Sequence, residues 1–441
     1  MSGKNIEIGR FSTSISRLSG HCEHVCVGML NSRHFRQLLK KIIQKGNAMK
    51  KTIAFILSAA LILGILPGCG EVIMKDEATQ TKEAVSEASK TTETADASQT
   101  KAPEKTAEAT KAPTKTPTAT PTPTPKPTSV PLGNVNPFTG EAIEKDISSL
   151  RPYAFMCNNI SVAVPHCGVS QADIIMEMMD EGGITRMMVF FADCSDVPVI
   201  GSIRSARAYN IDTALGYDAF LVHCGCSDEG DAMIAAYGME DIDQINGRYG
   251  PDSFYRDPTR AAERGNEHSL MAVGSAIANS PAAMGYRLTH PDGYDYSYGL
   301  SFSEDAVSQC VGDATQINVT YAGDKTSNFT YNPETGTYTM YQYGEEYTDD
   351  YKAAVPFANV IMIYANTYLQ SDGLHLTIDL TNGNGFYFTG GRYVPILWYK
   401  DGANDVFHFT LEDGTPLQLS VGKTFVAVNQ CGSYQGSTEF S

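Results

Sequence analysis

The stretch GVSQADIIMEMMDEGGITRMMVFF, residues 168–191, carries the reading of the fold. Ser170 and Asp173 stand where helix caps are expected, and Ile174 to Met179 is apolar apart from Glu177. That order predicts a helix through Met179, stopped by Gly182-Gly183. Arg186 to Phe191 then reads as a buried strand. Working outward, Tyr153 to Cys157 and Ala219 to Cys224 read as further buried strands. Ser205 to Leu215 and Asp228 to Tyr237 read as helices, and Ala261 to Asn279 contains another. Strands alternating with helices predict a layered α/β domain over residues 134–285.

Beyond residue 300 the pattern changes. Runs rich in β-branched and aromatic residues recur at Ile317 to Tyr321, Thr337 to Tyr343, Asn359 to Tyr364, Leu374 to Leu380, Phe386 to Phe388, Phe407 to Leu411 and Thr424 to Val428. Turn signals separate them, among them Asn382-Gly383-Asn384-Gly385, Gly390-Gly391 and Asp413-Gly414. A mainly antiparallel β domain of sandwich or barrel type is expected over residues 301–431. The fold class is therefore α+β or α/β, with the layered α/β domain first and the β-rich domain second.

Upstream of both, Met49-Lys50-Lys51 opens an apolar run from Ile53 to Leu66 that closes on Leu66-Pro67-Gly68-Cys69. A membrane span needs about 20 residues, and this run is shorter. A basic head, an apolar segment and small residues before a cysteine are the layout of a lipoprotein signal peptide over 49–68. Cys69 is the expected lipidation site, carrying diacylglyceryl and palmitate chains that give stable anchoring. Residues 1–48 read as an upstream extension, with Met49 as the expected start. His21, Cys22, His24 and Cys26 lack a second ligand pair at a fitting distance for zinc. Residues 69–133 are a Thr/Pro/Lys-rich spacer with too few apolar residues to offset ordering entropy. Its Thr-Pro part is expected to be extended and polyproline-like.

The chain holds 50 acidic and 33 basic residues, a formal net charge of −17. Phosphate-backbone binding needs a basic face, so nucleic acid is excluded as a partner. Seven cysteines follow Cys69: Cys157, Cys167, Cys194, Cys224, Cys226, Cys310 and Cys431. An odd number cannot all pair, and Cys224-Gly225-Cys226 is too close for a relaxed disulfide. Free, mostly buried thiols are expected.

Five arginines stand out against this acidic background. Arg186 follows Glu181-Gly182-Gly183-Ile184-Thr185. Arg204 and Arg207 lie in Gly201-Ser202-Ile203-Arg204-Ser205-Ala206-Arg207. Arg256 and Arg260 lie in Tyr255-Arg256-Asp257-Pro258-Thr259-Arg260, followed by Arg264 and His268. Each segment sits where a strand meets a loop or helix, and such ends gather at the ligand-binding rim of α/β sheets. Arginine recognises phosphate and carboxylate bidentately. Arg204 and Arg207, at i and i+3, are expected on one helical face, with backbone N–H donors at the helix start nearby. The set predicts a site for phosphate, pyrophosphate or an acidic glycan. Structural pairing of each arginine with Asp or Glu is the rival reading.

Asp257 and His268 are the candidate proton-handling residues. His223 beside Cys224 suggests a thiol nucleophile, although neighbours in a strand point to opposite faces. Asp173, Glu177, Asp180 and Glu181 read as a solvated acidic helix face. No metal site and no cofactor are predicted, and a divalent metal enters only under an enzymatic alternative. Trp398 and Lys400 belong to the β domain, where core packing is the expected role. There is no G-x-S-x-G, H-E-x-x-H or P-loop.

Several of these segments together resemble the YerB-like lipoproteins, the DUF3048 family. They are Asn136-Pro137-Phe138-Thr139-Gly140, Arg151-Pro152, Gly168 to Ile174, Glu181 to Arg186, Gly201 to Arg207 and Tyr255-Arg256-Asp257. In the β region they are Asn359-Val360, Trp398-Tyr399-Lys400, Asp413-Gly414 and Gly422-Lys423-Thr424. The resemblance implies a two-domain bacterial surface lipoprotein and supplies no reaction. The chain departs from the family pattern at Asn158, where the family has an acidic residue, and at Arg207-Ala208, where it has Arg-Pro. The order of Thr185-Arg186, Ser202 to Arg207, Cys224 to Tyr237 and the arginines up to His268 is also similar to that of LytR-CpsA-Psr phosphotransferases. Ser205 stands there in place of the expected acid.

The expected function is that of a membrane-anchored lipoprotein on the outer face of the cytoplasmic membrane, of Gram-positive type. It would bind an anionic cell-wall or lipid-linked ligand through Arg186, Arg204, Arg207, Arg256 and Arg260. One alternative is a phosphoryl or glycopolymer transferase or hydrolase acting on a lipid-linked envelope precursor. Another is a protein-interaction scaffold of the envelope.

Overall fold

Ile174–Met179 is a strand, not a helix, and it lies at the centre of the molecule. The computed structural model describes residues 134–321 and 325–441, which belong to one compact unit, Thr116–Ser441. Residues 1–48, the expected signal peptide 49–68, Cys69 and the spacer 69–133 lie outside the described residues.

In chain order the first stretch forms β1 (Tyr153–Asn159), β2 (Ile174–Met179), β3 (Thr185–Phe191), β4 (Ile200–Gly201), α1 (Ala208–Gly216), β5 (Phe220–His223), α2 (Asp228–Tyr237), β6 (Ile242–Asp243), β7 (Phe254–Arg256), α3 (Pro258–Arg264), β8 (Leu270–Ala272) and α4 (Gly274–Met284). The second forms β9 (Gly312–Asp313), β10 (Gln316–Thr320), β11 (Thr326–Asn332), β12 (Thr337–Gln342), β13 (Glu345–Glu346), β14 (Pro356–Phe357), β15 (Asn359–Leu369), β16 (Leu376–Asp379), β17 (Asn382–Thr389), β18 (Arg392–Tyr399), β19 (His408–Leu411), β20 (Thr424–Gly432) and β21 (Ser437–Phe440).

The fold is mixed and strand-rich, with three sheets among the described residues. Twelve strands make the largest, in the order β19-β18-β17-β15-β20-β2-β3-β1-β5-β6, with β16 beside β15 and β9 beside β18. β20, from near the end of the chain, inserts parallel to both β2 and β15. The sheet therefore runs unbroken through strands of both stretches.

β2 explains why the helix reading failed. Ile174, Met176 and Met178 face one core cluster, with Tyr209 and Ile211 of α1 and Trp398. Ile175 faces the other cluster, with Phe329, Met340 and Phe425. A central strand covered on both faces reads as an unbroken apolar run, without the alternation that marks a one-sided strand. Methionine, at home in helices, adds nothing to correct that reading. Ser170 belongs to a 3₁₀ turn, Val169–Gln171, and its hydroxyl donates to Asp349. The second face of the sheet is covered by the six-stranded sheet β13-β12-β11-β10-β21 with β14.

Asn382 to Gly385 was expected to be a turn and is instead the start of β17. A Cβ at Gly385 would stand 2.1 Å from the Met362 carbonyl oxygen, and one at Gly383 2.6 Å from Trp398 Nε1. The glycines let β15 and Trp398 approach; they do not reverse the chain. α2 matches its expected span, because its signals are local. Ser227 Oγ accepts from Gly230 N at 3.2 Å, three acids fill the first turn, and Gly238 ends the helix with φ 62°. No helix among the described residues is long and apolar enough to cross a membrane. The seven cysteines after Cys69 are all free thiols, four of them buried.

Candidate functional site

The segment from Ile203 to Arg207 bridges two strand ends. Arg204 N–H donates to the Met156 carbonyl of β1, and the Arg204 carbonyl accepts from Cys224 N–H just beyond β5. Ala206 N–H donates to the Gly225 carbonyl. With its backbone committed this way the segment is extended, and α1 begins only at Ala208, with Arg207 as its N-cap at φ −130° and ψ 166°. Arg204 and Arg207 therefore do not share a helical face, which corrects the expected spacing argument.

The five arginines fall into three groups. Arg186 and Arg207 converge on Asp180 and Glu181. Arg186 Nη2 lies 2.6 Å from Asp180 Oδ2, and its Nη1 donates to the Ser205 carbonyl at 2.6 Å. Arg207 holds Glu181 bidentately, with Nε to Oε1 at 2.9 Å and Nη2 to Oε2 at 2.7 Å. Burial raises the Asp180 carboxyl above the usual carboxylate range despite Arg186. Burial also pushes up on Glu181, but the Arg207 hydrogen bonds outweigh it and hold that carboxyl low. In place of the expected solvated acidic face, Asp180 and Glu181 pair with the two arginines, buried Glu177 pairs with Lys325, and Asp173 accepts from Asn136 Nδ2 and Ala192 N–H.

Arg260 forms the second group. It is 5% exposed and clamps the 163–165 loop, donating to the Ala163 carbonyl at 2.7 Å and the Pro165 carbonyl at 3.2 Å. Asp350 lies 3.4 Å from its Nη1. Arg264 donates to the Val164 carbonyl at 2.7 Å and adds to the clamp.

Arg204 and Arg256 form the third group and are chemically different. Both lean on the same turn: Arg204 Nη1 donates to the Glu267 carbonyl at 3.3 Å, and Arg256 Nη1 to the Asn266 carbonyl at 2.6 Å. Neither has a carboxylate in ion-pair contact among the described residues. Arg204 Nε is buried with no hydrogen-bond partner. Both cations act on Cys224, pulling its thiol down against a burial effect that raises it overall. A raised thiol is poorly suited to nucleophilic attack.

The candidate proton carriers border this group. Asp257 Oδ1 accepts from Arg260 N–H at 2.8 Å and caps α3. Asn158 Nδ2 contacts His268 Nδ1 at 2.6 Å, and His268 Nε2 lies 3.6 Å from Glu267 Oε1. Burial lowers the affinity of His268 for a second proton.

Three groups were missed or misread in the sequence. His223, Asp241 and Asp243 place ligand atoms within 4.8 Å of one another. Their hydrogen bonds are already assigned, however. His223 Nε2 meets Asp241 at 2.9 Å, and Arg248 Nη2 meets Asp241. Asp243 Oδ1 accepts from Gly225 N at 2.8 Å and Ile245 N at 3.0 Å. The guanidinium of Arg248 supplies positive charge to this cluster. The alternation Asp241-Ile242-Asp243 after a strand ending in histidine was the available signal. A cavity of about 430 Å³, the second, is lined by Arg207, Ser227, Asp228, Glu229, Asp372 and His375, among others. Its carboxylates make it a poor host for an anion. The third, Lys325 with Glu177, had no signal, because 148 residues separate two groups that only the packed sheets unite.

The description "Protein of unknown function (DUF3048) N-terminal domain" matches residues 138–287, and that of the DUF3048 C-terminal domain matches residues 317–426. The chain is 26% identical over 304 residues to "Putative lipoprotein YerB" of Bacillus subtilis (strain 168), covering 66% of this chain and 85% of that protein. The crystal structure of YerB from Bacillus subtilis superposes with a TM-score of 0.58 at 23% identity, over 69% of this chain and 99% of that one. That likeness bears on the fold.

Proposed function

Since the chain belongs to the DUF3048 family, carrying both its N- and C-terminal domains, we propose that it is an extracytoplasmic lipoprotein, held through Cys69 at the outer face of the cytoplasmic membrane, that binds an anionic envelope ligand. The name of the Bacillus subtilis relative supports the anchor. So does the signal-like layout of residues 49–69. The ligand is a phosphate, a pyrophosphate or an acidic glycan.

One observation carries the binding reading. Of the five arginines, Arg204 and Arg256 alone hydrogen-bond to carbonyl and hydroxyl oxygens and not to a carboxylate. Neither forms an ion pair with a carboxylate among the described residues, in a chain of net charge −17. The carbonyls of Asn266 and Glu267 orient the two guanidinium groups while leaving other N–H donors for an incoming oxyanion. Arg186, Arg207 and Arg260 are held by Asp180, Glu181 and the 163–165 loop, and do not touch the ligand.

The test is a calorimetric titration of the full chain in detergent micelles with inorganic pyrophosphate. Arg204→Ala and Arg256→Ala should each weaken binding about 5- to 20-fold, roughly 1–2 kcal/mol for a charged hydrogen-bond pair. Arg392→Ala, an exposed arginine of β18, should leave it unchanged. Added salt should weaken binding, because the groups are solvent-accessible. No binding by the parent protein, or equal binding by the Arg204→Ala/Arg256→Ala variant, would refute the reading.

A further inference from the structure

A second chemical constellation lies under the central sheet, away from the arginines. Lys325, just before β11, is 5% exposed, and Glu177, in the middle of β2, is fully buried. Lys325 Nζ stands 3.0 Å from Glu177 Oε1 and 3.0 Å from Gln342 Oε1, the last residue of β12. It also contacts Ser327 Oγ at 2.8 Å and the Thr326 carbonyl at 2.9 Å. The rings of Tyr343 and Tyr321 lie over the nitrogen at 5.1 and 5.8 Å. Gln342 is 3% exposed, and its Nε2 is buried without a hydrogen-bond partner.

We infer that Lys325 and Gln342 form an intramolecular amide cross-link, with Glu177 moving the protons. An amine, a carboxamide and a carboxylate are held together out of water, so a slow reaction gains from proximity and meets no competing hydrolysis. Glu177 Oε1 takes a proton from the Lys325 ammonium, which frees the lone pair on Nζ. The amine adds to Gln342 Cδ. Glu177 returns the proton to Nε2, the Cδ–Nε2 bond breaks and ammonia leaves with one hydrogen gained from the lysine nitrogen; Glu177 then takes the second proton from Nζ, so that a neutral amide and a neutral carboxyl replace the ion pair. One C–N bond forms, one breaks, and no oxidant or external reactant is required.

Two features of the site favour this product over a plain ion pair. Four oxygen atoms surround a nitrogen that can donate only three hydrogen bonds. The carboxamide N–H₂ group of Gln342, buried and unpaired, is the group that would leave, so the reaction removes an unsatisfied donor. It also removes a buried ammonium, whose desolvation is otherwise a standing cost. The amide would tie the open end of the β11–β12 hairpin beside its junction with β2.

Tandem mass spectrometry of a tryptic digest of the full chain, purified folded and then denatured, tests the inference. Trypsin does not cut after an acylated lysine. The expected product is a single peptide, residues 288–352, closed into a loop by the amide between Lys325 and Gln342 and lighter by about 17 Da than its linear form. Glu177→Gln should return the linear peptides while keeping the β-sheet circular dichroism signal. Cleavage after Lys325 with Gln342 unmodified in the parent protein refutes the cross-link, whether or not Glu177→Gln folds. Asn159 Nδ2 also donates to Glu177 Oε1, at 2.8 Å; a branched peptide joining Lys325 to Asn159 refutes the inference equally, as does a link that survives in folded Glu177→Gln.

Discussion

Arg186→Met separates a structural arginine from a ligand-binding one. Side-chain exposure is 8% for Arg186 and 2% for Asp180, and they meet at 2.6 Å. Removing one partner of such a pair leaves an uncompensated buried charge and costs about 3–5 kcal/mol. Arg207 Nε remains 3.6 Å from Asp180, and the Tyr209 hydroxyl 3.4 Å away. The expected loss is therefore at the lower end, about 3 kcal/mol, which at ~2 °C per kcal/mol lowers the unfolding midpoint by roughly 6 °C. Burial already raises the Asp180 carboxyl, against the pull of Arg186. Without Arg186 it rises further, and a group whose folded value is raised loses its stabilising contribution as pH climbs through that value. The deficit should be full above the raised value and shrink as pH falls through it, from above about pH 6, where the carboxyl takes up its proton. Adding Asp180→Asn should recover about half of the loss at neutral pH, the coupling expected for groups in contact. Thermal denaturation followed by circular dichroism across pH, together with the pyrophosphate titration, decides the matter. A loss under about 1 kcal/mol combined with a tenfold loss of pyrophosphate binding would show that Arg186 belongs to the ligand site.

Asp241 should govern part of the acid limb of stability. Burial pushes its carboxyl up, but His223 and Arg248 outweigh that and hold it below the usual value. Its contribution is present above the ordinary carboxylate range and lost as pH falls through the depressed value. Asp241→Asn should therefore lower stability at neutral pH and flatten the acid limb; an unchanged acid limb would contradict the network. Under native conditions a maleimide should label Cys224, Cys226 and Cys431 before Cys157, Cys167, Cys194 and Cys310, which are buried. Labelling of Cys224 should slow in Arg204→Ala/Arg256→Ala, since both cations favour the thiolate. Equal labelling rates at Cys224 in the two proteins would place those guanidinium groups away from the thiol.

What could be read from the sequence was local. α2 announced its whole span through Ser227, three acids and Gly238, because each signal acts within one turn. β1, β3 and β5 were legible as short apolar runs of the right length. β2 was not, since a strand buried on both faces loses the period that distinguishes it from a buried helix. β18 escaped as well, although Trp398 stood out, and so did β11, whose polar residues alternate over a half-buried face. The joining of the two stretches depends on β20 lying parallel to β2, a pairing across more than two hundred residues that no local pattern encodes.

For the candidate site, the excess of arginine in an acidic chain drew attention to segments whose arginines turn out to have different kinds of partner. In such a chain a carboxylate is near almost any surface arginine, and burying the pair is costly unless both hydrogen-bond well. Arg186 and Arg207 meet that condition on Asp180 and Glu181, and Arg260 meets it largely on carbonyl oxygens. Each is held by the fold, although Arg186 Nε is buried without a hydrogen-bond partner. Arg204 and Arg256 differ in partner chemistry, not in position along the chain, and partner chemistry exists only after folding. A dipolar carbonyl positions a guanidinium without neutralising it, so these two keep most of their attraction for an oxyanion. The same criterion sets aside the 430 Å³ cavity. Volume there comes with Asp228, Glu229 and Asp372, whereas Arg204 and Arg256, the two arginines near Cys224, form no ion pair with a carboxylate among the described residues.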